Sequence, residues 1–301
     1  MSLMNQLMVS VVEFLPKRVV KVFAMRYIAG EELGDALSLV GRLNSHGVMG
    51  TLDVLGENTR TEQDALLATK ACEQVLHAID GNHLDANLSV KLTQLGLQID
   101  QELCHSHVKN ILEIAEQHKN FVRMDMEDSS TTTATLRLYE RLRSEGFKNT
   151  GLVIQANLRR SERDVKRLIE IKANVRLCKG AYVEPKTLAF KNREEIRLNY
   201  LKLLRSLLEG RCYVGIATHD DFLKRGTYQY IQDMRLQKSD YEFQMLHGVK
   251  VPLRKSIVAD GHRLRVYVPF GEHWYAYSMR RFQENPRMAR YVLRSLFSRS
   301  E

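Results

Sequence analysis

The sequence predicts an α/β protein built as a closed, TIM-like barrel of eight parallel βα units with an N-terminal helical extension, and three observations carry that prediction. Eight short β-rich runs alternate with long stretches rich in Leu, Glu, Lys and Arg. The runs start 23 to 38 residues apart, the length a βα unit needs for strand, loop, helix and return. The competing fold, a doubly wound open sheet, lacks its GxGxxG turn, because residues 50–56 read Gly-Thr-Leu-Asp-Val-Leu-Gly. A closed barrel of this kind takes about 250 residues, leaving the first forty-odd for the extension.

Residues 1–47 read as a helical segment. Leu3, Leu7, Met8, Val9, Val11, Val12, Phe14 and Leu15 are apolar, but Asn5, Gln6 and Glu13 interrupt them and Pro16 stops them. That is too short and too broken for a membrane span of about 20 apolar residues, and it lacks a basic leader and a small-residue cleavage site. A chain that is neither secreted nor membrane-spanning is therefore expected. The barrel should occupy 48–301, its last stretch forming C-terminal capping helices. Its strands fall at 50–55, 88–92, 121–126, 152–156, 175–179, 213–217, 241–246 and 264–268. The helices between them fall at 59–79, 101–118, 130–145, 160–172, 186–209, 221–237 and 248–258, with no linker-like segment and no room for a second domain.

Composition narrows the class. With 44% hydrophobic and 27% charged residues, 5 Pro and 17 Gly, the chain is neither collagenous nor largely disordered. The 45 Lys and Arg exceed the 36 Asp and Glu by nine, an excess that suits nucleic acid, anionic lipid or an anionic small ligand alike. Cys72, Cys104, Cys178 and Cys212 form no CxxC pair and read as buried, inert thiols of a reduced, cytoplasmic chain. His77, His83, His105 and His107 lack HExxH spacing and read as solvated, so no metal is expected; a GxSxG elbow is also absent.

A barrel places its site at the C-terminal ends of its strands. The polar residues there are Asp53 and Glu57, Lys91, Asp125 and Glu127, Gln155 and Asn157, Arg176 and Lys179, Thr218-His219-Asp220, Gln244 and His247, and Tyr267. Buried unpaired, each ion would be costly, so they should pair with one another or with a charged ligand. Glu57 or Asp220 alone reads more simply as a solvated carboxylate or a helix N-cap. Along Val175-Arg-Leu-Cys-Lys-Gly-Ala-Tyr182, alternation puts Arg176 and Cys178 on one strand face and Leu177 and Lys179 on the other, and Gly180 admits close backbone approach to a ligand. After the last strand, Arg280 and Glu284 are i and i+4 neighbours with Arg281 turned away. They read either as a surface salt bridge with a solvated arginine or as a guanidinium clamp for a carboxylate or phosphate.

Seven ordered motifs resemble the proline dehydrogenases, in their short monofunctional bacterial form, from about residue 26 to 290. They are Leu88-Ser-Val-Lys-Leu-Thr-Gln-Leu-Gly96, Arg123-Met-Asp-Met-Glu127, Val153-Ile-Gln-Ala156, Val175 to Tyr182, Ala217-Thr-His-Asp220, Tyr241-Glu-Phe-Gln-Met-Leu-His-Gly248, and Arg265-Val-Tyr-Val-Pro-Phe-Gly271 followed by Tyr277-Ser-Met-Arg-Arg-Phe-Gln-Glu-Asn285. The resemblance implies a distorted eight-stranded βα barrel that binds FAD, oxidises L-proline to 1-pyrroline-5-carboxylate and passes electrons to a membrane quinone. By the same resemblance Lys91, Arg280 and Arg281 bind the proline carboxylate, Asp125 orients them, and Tyr182, Leu246 and Tyr267 wall the substrate ring. Gln155, Arg176, Lys179, Gly180, Ala181, Thr218, His219 and Glu284 would lie along the FAD, with Arg176 near the flavin N5.

No aldehyde dehydrogenase domain follows residue 301, so a separate pyrroline-5-carboxylate dehydrogenase is expected to take the product. Lys17, Arg18, Lys21 and Arg26, with Arg287, Arg290, Arg294 and Arg299, suit peripheral contact with an anionic bilayer on the inner face of the cell membrane. Two other readings compete. A Schiff-base aldolase would use Lys91 or Lys179 as its amine. Nucleic-acid binding has only the basic excess behind it, without basic runs interleaved with aromatics, and is not expected.

Overall fold

The computed structural model describes residues 17–275 and 277–279. Two helices, α1 (Lys17–Ala24) and α2 (Leu33–Asn44), precede a closed barrel. The barrel runs β1 (Met49–Val54), α3 (Glu62–Gly81), β2 (Ala86–Val90), α4 (Gln101–Gln117), β3 (Val122–Met124), α5 (Thr132–Ser144), β4 (Thr150–Gln155) and α6 (Ser161–Glu170) in its first half. The second half is β5 (Val175–Cys178), α7 (Arg193–Glu209), β6 (Val214–Ala217), α8 (Asp221–Asp233), β7 (Tyr241–Leu246), α9 (Val251–Ala259) and β8 (Leu264–Phe270). Every neighbouring pair of strands is parallel, and β8 closes on β1 with Met49 opposite Arg265 and Val54 opposite Phe270.

The eight strands and seven intervening helices predicted for the barrel are all present, and their ends differ for local reasons; the C-terminal capping helices expected after 279 and the first 16 residues of the N-terminal segment lie outside the described residues. β3 stops at Met124, so Asp125 leaves the ladder, although its N–H still donates to Val90 O at 2.8 Å. The helix expected from 186 starts at Arg193, because the chain after Pro185 forms an antiparallel bridge between Leu158 and Ala189, and Asn192 then caps the helix. α2 lies against β1 and β8 and buries Ala36, Leu39, Val40 and Leu43 there. Gly50 permits that approach, since a Cβ would meet the Val40 methyl carbon at 2.9 Å.

Alternation divides each strand. Leu52, Leu88, Val122, Leu152, Val175, Val214, Phe243 and Leu264 are fully buried and belong to the main apolar cluster with the helices. The other face points into the barrel and is polar for most of its length. Thr51 meets Asn87 at 2.6 Å, and Glu242 pairs with Arg265 at 2.8 Å. The barrel axis is thus a hydrogen-bonded column rather than stacked aliphatic layers, and it carries buried charge up to the C-terminal mouth.

Candidate active site

At that mouth lies a cavity of about 720 Å³. Lys91, Asp125, Arg176, Lys179, Gly180, Ala181, Tyr182, Thr218, His219, Leu246 and Tyr267 line it, so one space gathers eleven of the residues singled out from sequence. Gln155 lies just outside the lining and braces it: its Nε2 donates to Glu127 O at 2.7 Å, and its Oε1 accepts from Ala181 N–H at 3.4 Å. Arg280, Arg281 and Glu284 lie outside the described residues; Tyr277, just before them, lines the cavity.

Asp125 is the hub. Its Oδ1 accepts from Ser89 Oγ at 2.8 Å and from Arg176 Nη1 at 2.7 Å, and its Oδ2 accepts from the Tyr267 hydroxyl at 2.7 Å. Burial, reinforced by the Asp125 charge, holds the Tyr267 phenol well above its ordinary pKa, so it acts as a neutral donor. The Arg176 guanidinium lies 5.2 Å from the Tyr267 ring centroid. Its Nη1 is held by Asp125 and its Nε donates to Gln244 Oε1, while Nη2 is buried without a partner among the described residues. A buried donor left open is a place for a ligand acceptor.

Beside this hub, Lys91 Nζ sits 2.6 Å from Asp53 Oδ1, with both side chains buried. Burial opposes the ammonium, but Asp53, then Asp125 and Glu57, outweigh it, and the Lys91 pKa is raised. Lys91 is therefore a fixed cation. A Schiff-base amine must be deprotonated to attack, so this geometry speaks against aldolase chemistry at Lys91.

The rim is basic as well. Lys179, expected on the face opposite Arg176, lines the cavity instead, because β5 ends at Cys178 and the chain turns over the rim at Gly180 with φ +102°. Lys179 Nζ lies 3.3 Å from Asp220 Oδ2, and Arg197 grips both oxygens of the same carboxylate at 2.9 Å. Burial works against the Asp220 charge, yet Arg197, Lys179 and the Phe222 N–H hold its carboxyl below the usual range. With Arg193 Nη2 also 3.7 Å from its Oδ2, Asp220 is thus both the N-cap of α8 and a bracket for three cations, not a solvated loop carboxylate. Thr218 Oγ accepts from the Asp220 N–H at 3.1 Å, and His219 Nε2 accepts from the Leu246 N–H at 2.9 Å.

Sequence reasoning missed Ser89, Arg193, Arg197, Arg225 and Lys250. Ser89 was detectable, lying two residues before Lys91 on the same strand face. The others sit on helices and a loop, where spacing carries no signal of a shared cavity. Other expectations need correction. Cys178 is half-buried and lines the cavity, whereas Cys72, Cys104 and Cys212 are buried. His105 and His107 are buried rather than solvated, the first 2.9 Å from Glu145 and the second 3.1 Å from Leu95 O. Glu127 turns away from the cavity to Thr93, whose N–H donates to it at 3.0 Å. His247 faces a separate groove beside α2 and α9, with Arg42 and Arg254.

Comparison with known proteins places these residues in context. The family model described as "Proline dehydrogenase" matches residues 36–293. "Proline dehydrogenase 1" of Bacillus subtilis subsp. natto is 38% identical over 92% of this chain and 91% of its own length. The "Proline dehydrogenase" of Deinococcus radiodurans is 32% identical over 95% of this chain and 93% of its own. A crystal structure of proline utilization A from Bdellovibrio bacteriovorus, inactivated by N-propargylglycine, superposes with a TM-score of 0.84 at 28% identity over 88% of this chain. This chain spans 33% of that larger protein.

Proposed function

The chain belongs to the proline dehydrogenase family, and from that premise we propose that it binds FAD in the cavity at the barrel mouth, oxidises L-proline there to 1-pyrroline-5-carboxylate, and passes the electrons to a membrane quinone. The observation that carries this reading is the buried, unpartnered Nη2 of Arg176, aligned by Asp125 beside the fixed cation Lys91. A basic rim of Lys179, Arg193, Arg225 and Lys250 fits the pyrophosphate of a dinucleotide, and the open donor of Arg176 fits an acceptor atom of a flavin ring.

The chemistry FAD supplies, when bound, is acceptance of a hydride from C5 of proline. This chain's residues do the rest. Lys91, with Arg280 and Arg281, neutralises the substrate carboxylate, and Asp125 keeps the cationic set oriented through Arg176. Tyr182, Leu246 and Tyr267 wall the ring and keep water from the reacting carbon. Cations around the substrate nitrogen favour loss of its proton, which must precede hydride departure. Gln155, Lys179, Gly180, Ala181, Thr218, His219 and Glu284 hold the dinucleotide. In this proposal residues 48–301 act as one catalytic unit and 1–47 as the segment that precedes it, of which α1 and α2 are described.

Among the described residues no helix is long and apolar enough to cross a membrane. The proposed route to the quinone is peripheral contact of the basic residues near both ends of the chain with an anionic bilayer, and the proposed consumer of the product is a separate dehydrogenase. The test is proline-dependent reduction of a soluble quinone by purified protein, before and after removal of FAD. Activity lost on stripping and restored by FAD supports the reading, whereas undiminished turnover by flavin-free protein overturns it.

A further inference from the structure

We infer that Gln244, on β7, is a positioning residue that aims the Arg176 guanidinium into the active-site cavity. It acts as the neutral middle link between Arg176 and the buried Glu242–Arg265 ion pair. The inference deepens the flavin reading above and rests on it.

The Gln244 side chain is buried between two partners that leave its amide a single orientation. Its Nε2 donates to Glu242 Oε1 at 2.6 Å, and its Oε1 accepts from Arg176 Nε. Glu242 can only accept, and Arg176 can only donate, so the amide cannot flip without losing both contacts. Glu242 is itself immobilised by Arg265 Nε at 2.8 Å and by the Tyr213 hydroxyl at 2.8 Å, while Arg265 Nη1 is tied to Gly50 O at 2.7 Å. On β6, Gly215 leaves room for the amide, since a Cβ there would come within 2.5 Å of Gln244 Nε2.

A guanidinium is a rigid planar fork, so fixing two of its nitrogens fixes the third. Asp125 holds Nη1 and Gln244 holds Nε, which leaves Nη2 aimed at one spot. Without the Gln244 acceptor, the fork would pivot about Asp125, and its charge would no longer be preorganised for a flavin that becomes more electron-rich on reduction. A carboxylate at position 244 would face Glu242, and an apolar side chain would leave both neighbours short of a partner. Only a neutral group with one donor and one acceptor serves both.

The test compares wild type, Gln244→Met and Gly215→Ala for FAD content, the reduction potential of bound flavin, and the rate of anaerobic flavin reduction across proline concentrations. For Gln244→Met with FAD bound, the expected result is a roughly tenfold shift of the two-electron equilibrium toward oxidised flavin, about 30 mV more negative. The limiting reduction rate should fall about tenfold while half-saturating proline changes less than about twofold. Gly215→Ala presses on the same amide from β6 and should shift the potential in the same direction by less. A purely structural role would alter thermal stability but leave the potential of folded, loaded protein untouched. A wild-type potential in loaded Gln244→Met overturns the inference, and, should that variant not fold, so does a wild-type potential in Gly215→Ala. A wild-type protein without flavin sinks the flavin reading and this inference with it; a loaded wild type beside unchanged variants sinks this inference alone.

Discussion

Replacing Tyr267 with phenylalanine deletes one oxygen from the centre of the site and nothing else. The ring keeps its place 5.2 Å from the Arg176 guanidinium, but the 2.7 Å hydrogen bond to Asp125 Oδ2 is lost. A hydrogen bond to a charged group contributes about 1.5–3 kcal/mol, and no other donor to Oδ2 stands among the described residues, so Tyr267→Phe should lose stability in that range. Asp125→Asn keeps the shape but removes the charge facing Arg176, which should cost about 3–5 kcal/mol because a buried cation is left unpaired. Each single variant removes the same phenol–carboxylate contact, so the double variant should be less damaged than the sum, by about 1–3 kcal/mol. Urea unfolding of the four flavin-loaded proteins measures this coupling. Costs that add to within about 0.5 kcal/mol would refute the idea that Tyr267 and Asp125 act as one unit.

Three further outcomes are expected. Gly180→Ala forces a Cβ onto a backbone at φ +102° and to 2.0 Å from Asn157 Oδ1; strain of about 1–3 kcal/mol should weaken FAD retention up to about a hundredfold, and unchanged flavin affinity by equilibrium dialysis would discount a role for this turn. Arg280→Met should raise the proline KM by at least about tenfold while FAD stays bound, and an unchanged KM would remove its carboxylate role. The His247 imidazole is pushed down to about 4, first by burial and then by Arg254 and Arg42. The unfolded chain takes up that proton below about pH 6.5 and the folded chain does not until about 4, so stability falls as pH drops through that window, by up to about 3 kcal/mol. His247→Gln should flatten the change in melting temperature between those limits; an equal slope in both proteins would mean another group is responsible.

The fold was legible because each βα unit announces itself locally: the run Tyr241–Leu246 is bounded by polar turns and forms a strand over the whole predicted span. The end of β3 was not legible, since Asp125 leaves the ladder to meet Ser89, Arg176 and Tyr267 from three other strands. Alternation put Arg176 and Cys178 on one face of their strand, but it could not pair Lys91 with Asp53, 38 residues away, or Arg176 with Gln244, 68 away. The rim cations Arg193, Arg197 and Arg225 were invisible for a related reason. On a helix they look like any solvated face, and only closure of the barrel turns them toward a common space.

Flavin-dependent proline oxidation is tested most directly by anaerobic addition of L-proline to the purified protein. The expected result is a yellow protein whose flavin bleaches in step with the proline added, with an equal amount of 1-pyrroline-5-carboxylate formed. A colourless preparation that FAD cannot restore, or a flavin that stays oxidised under excess proline, would contradict it.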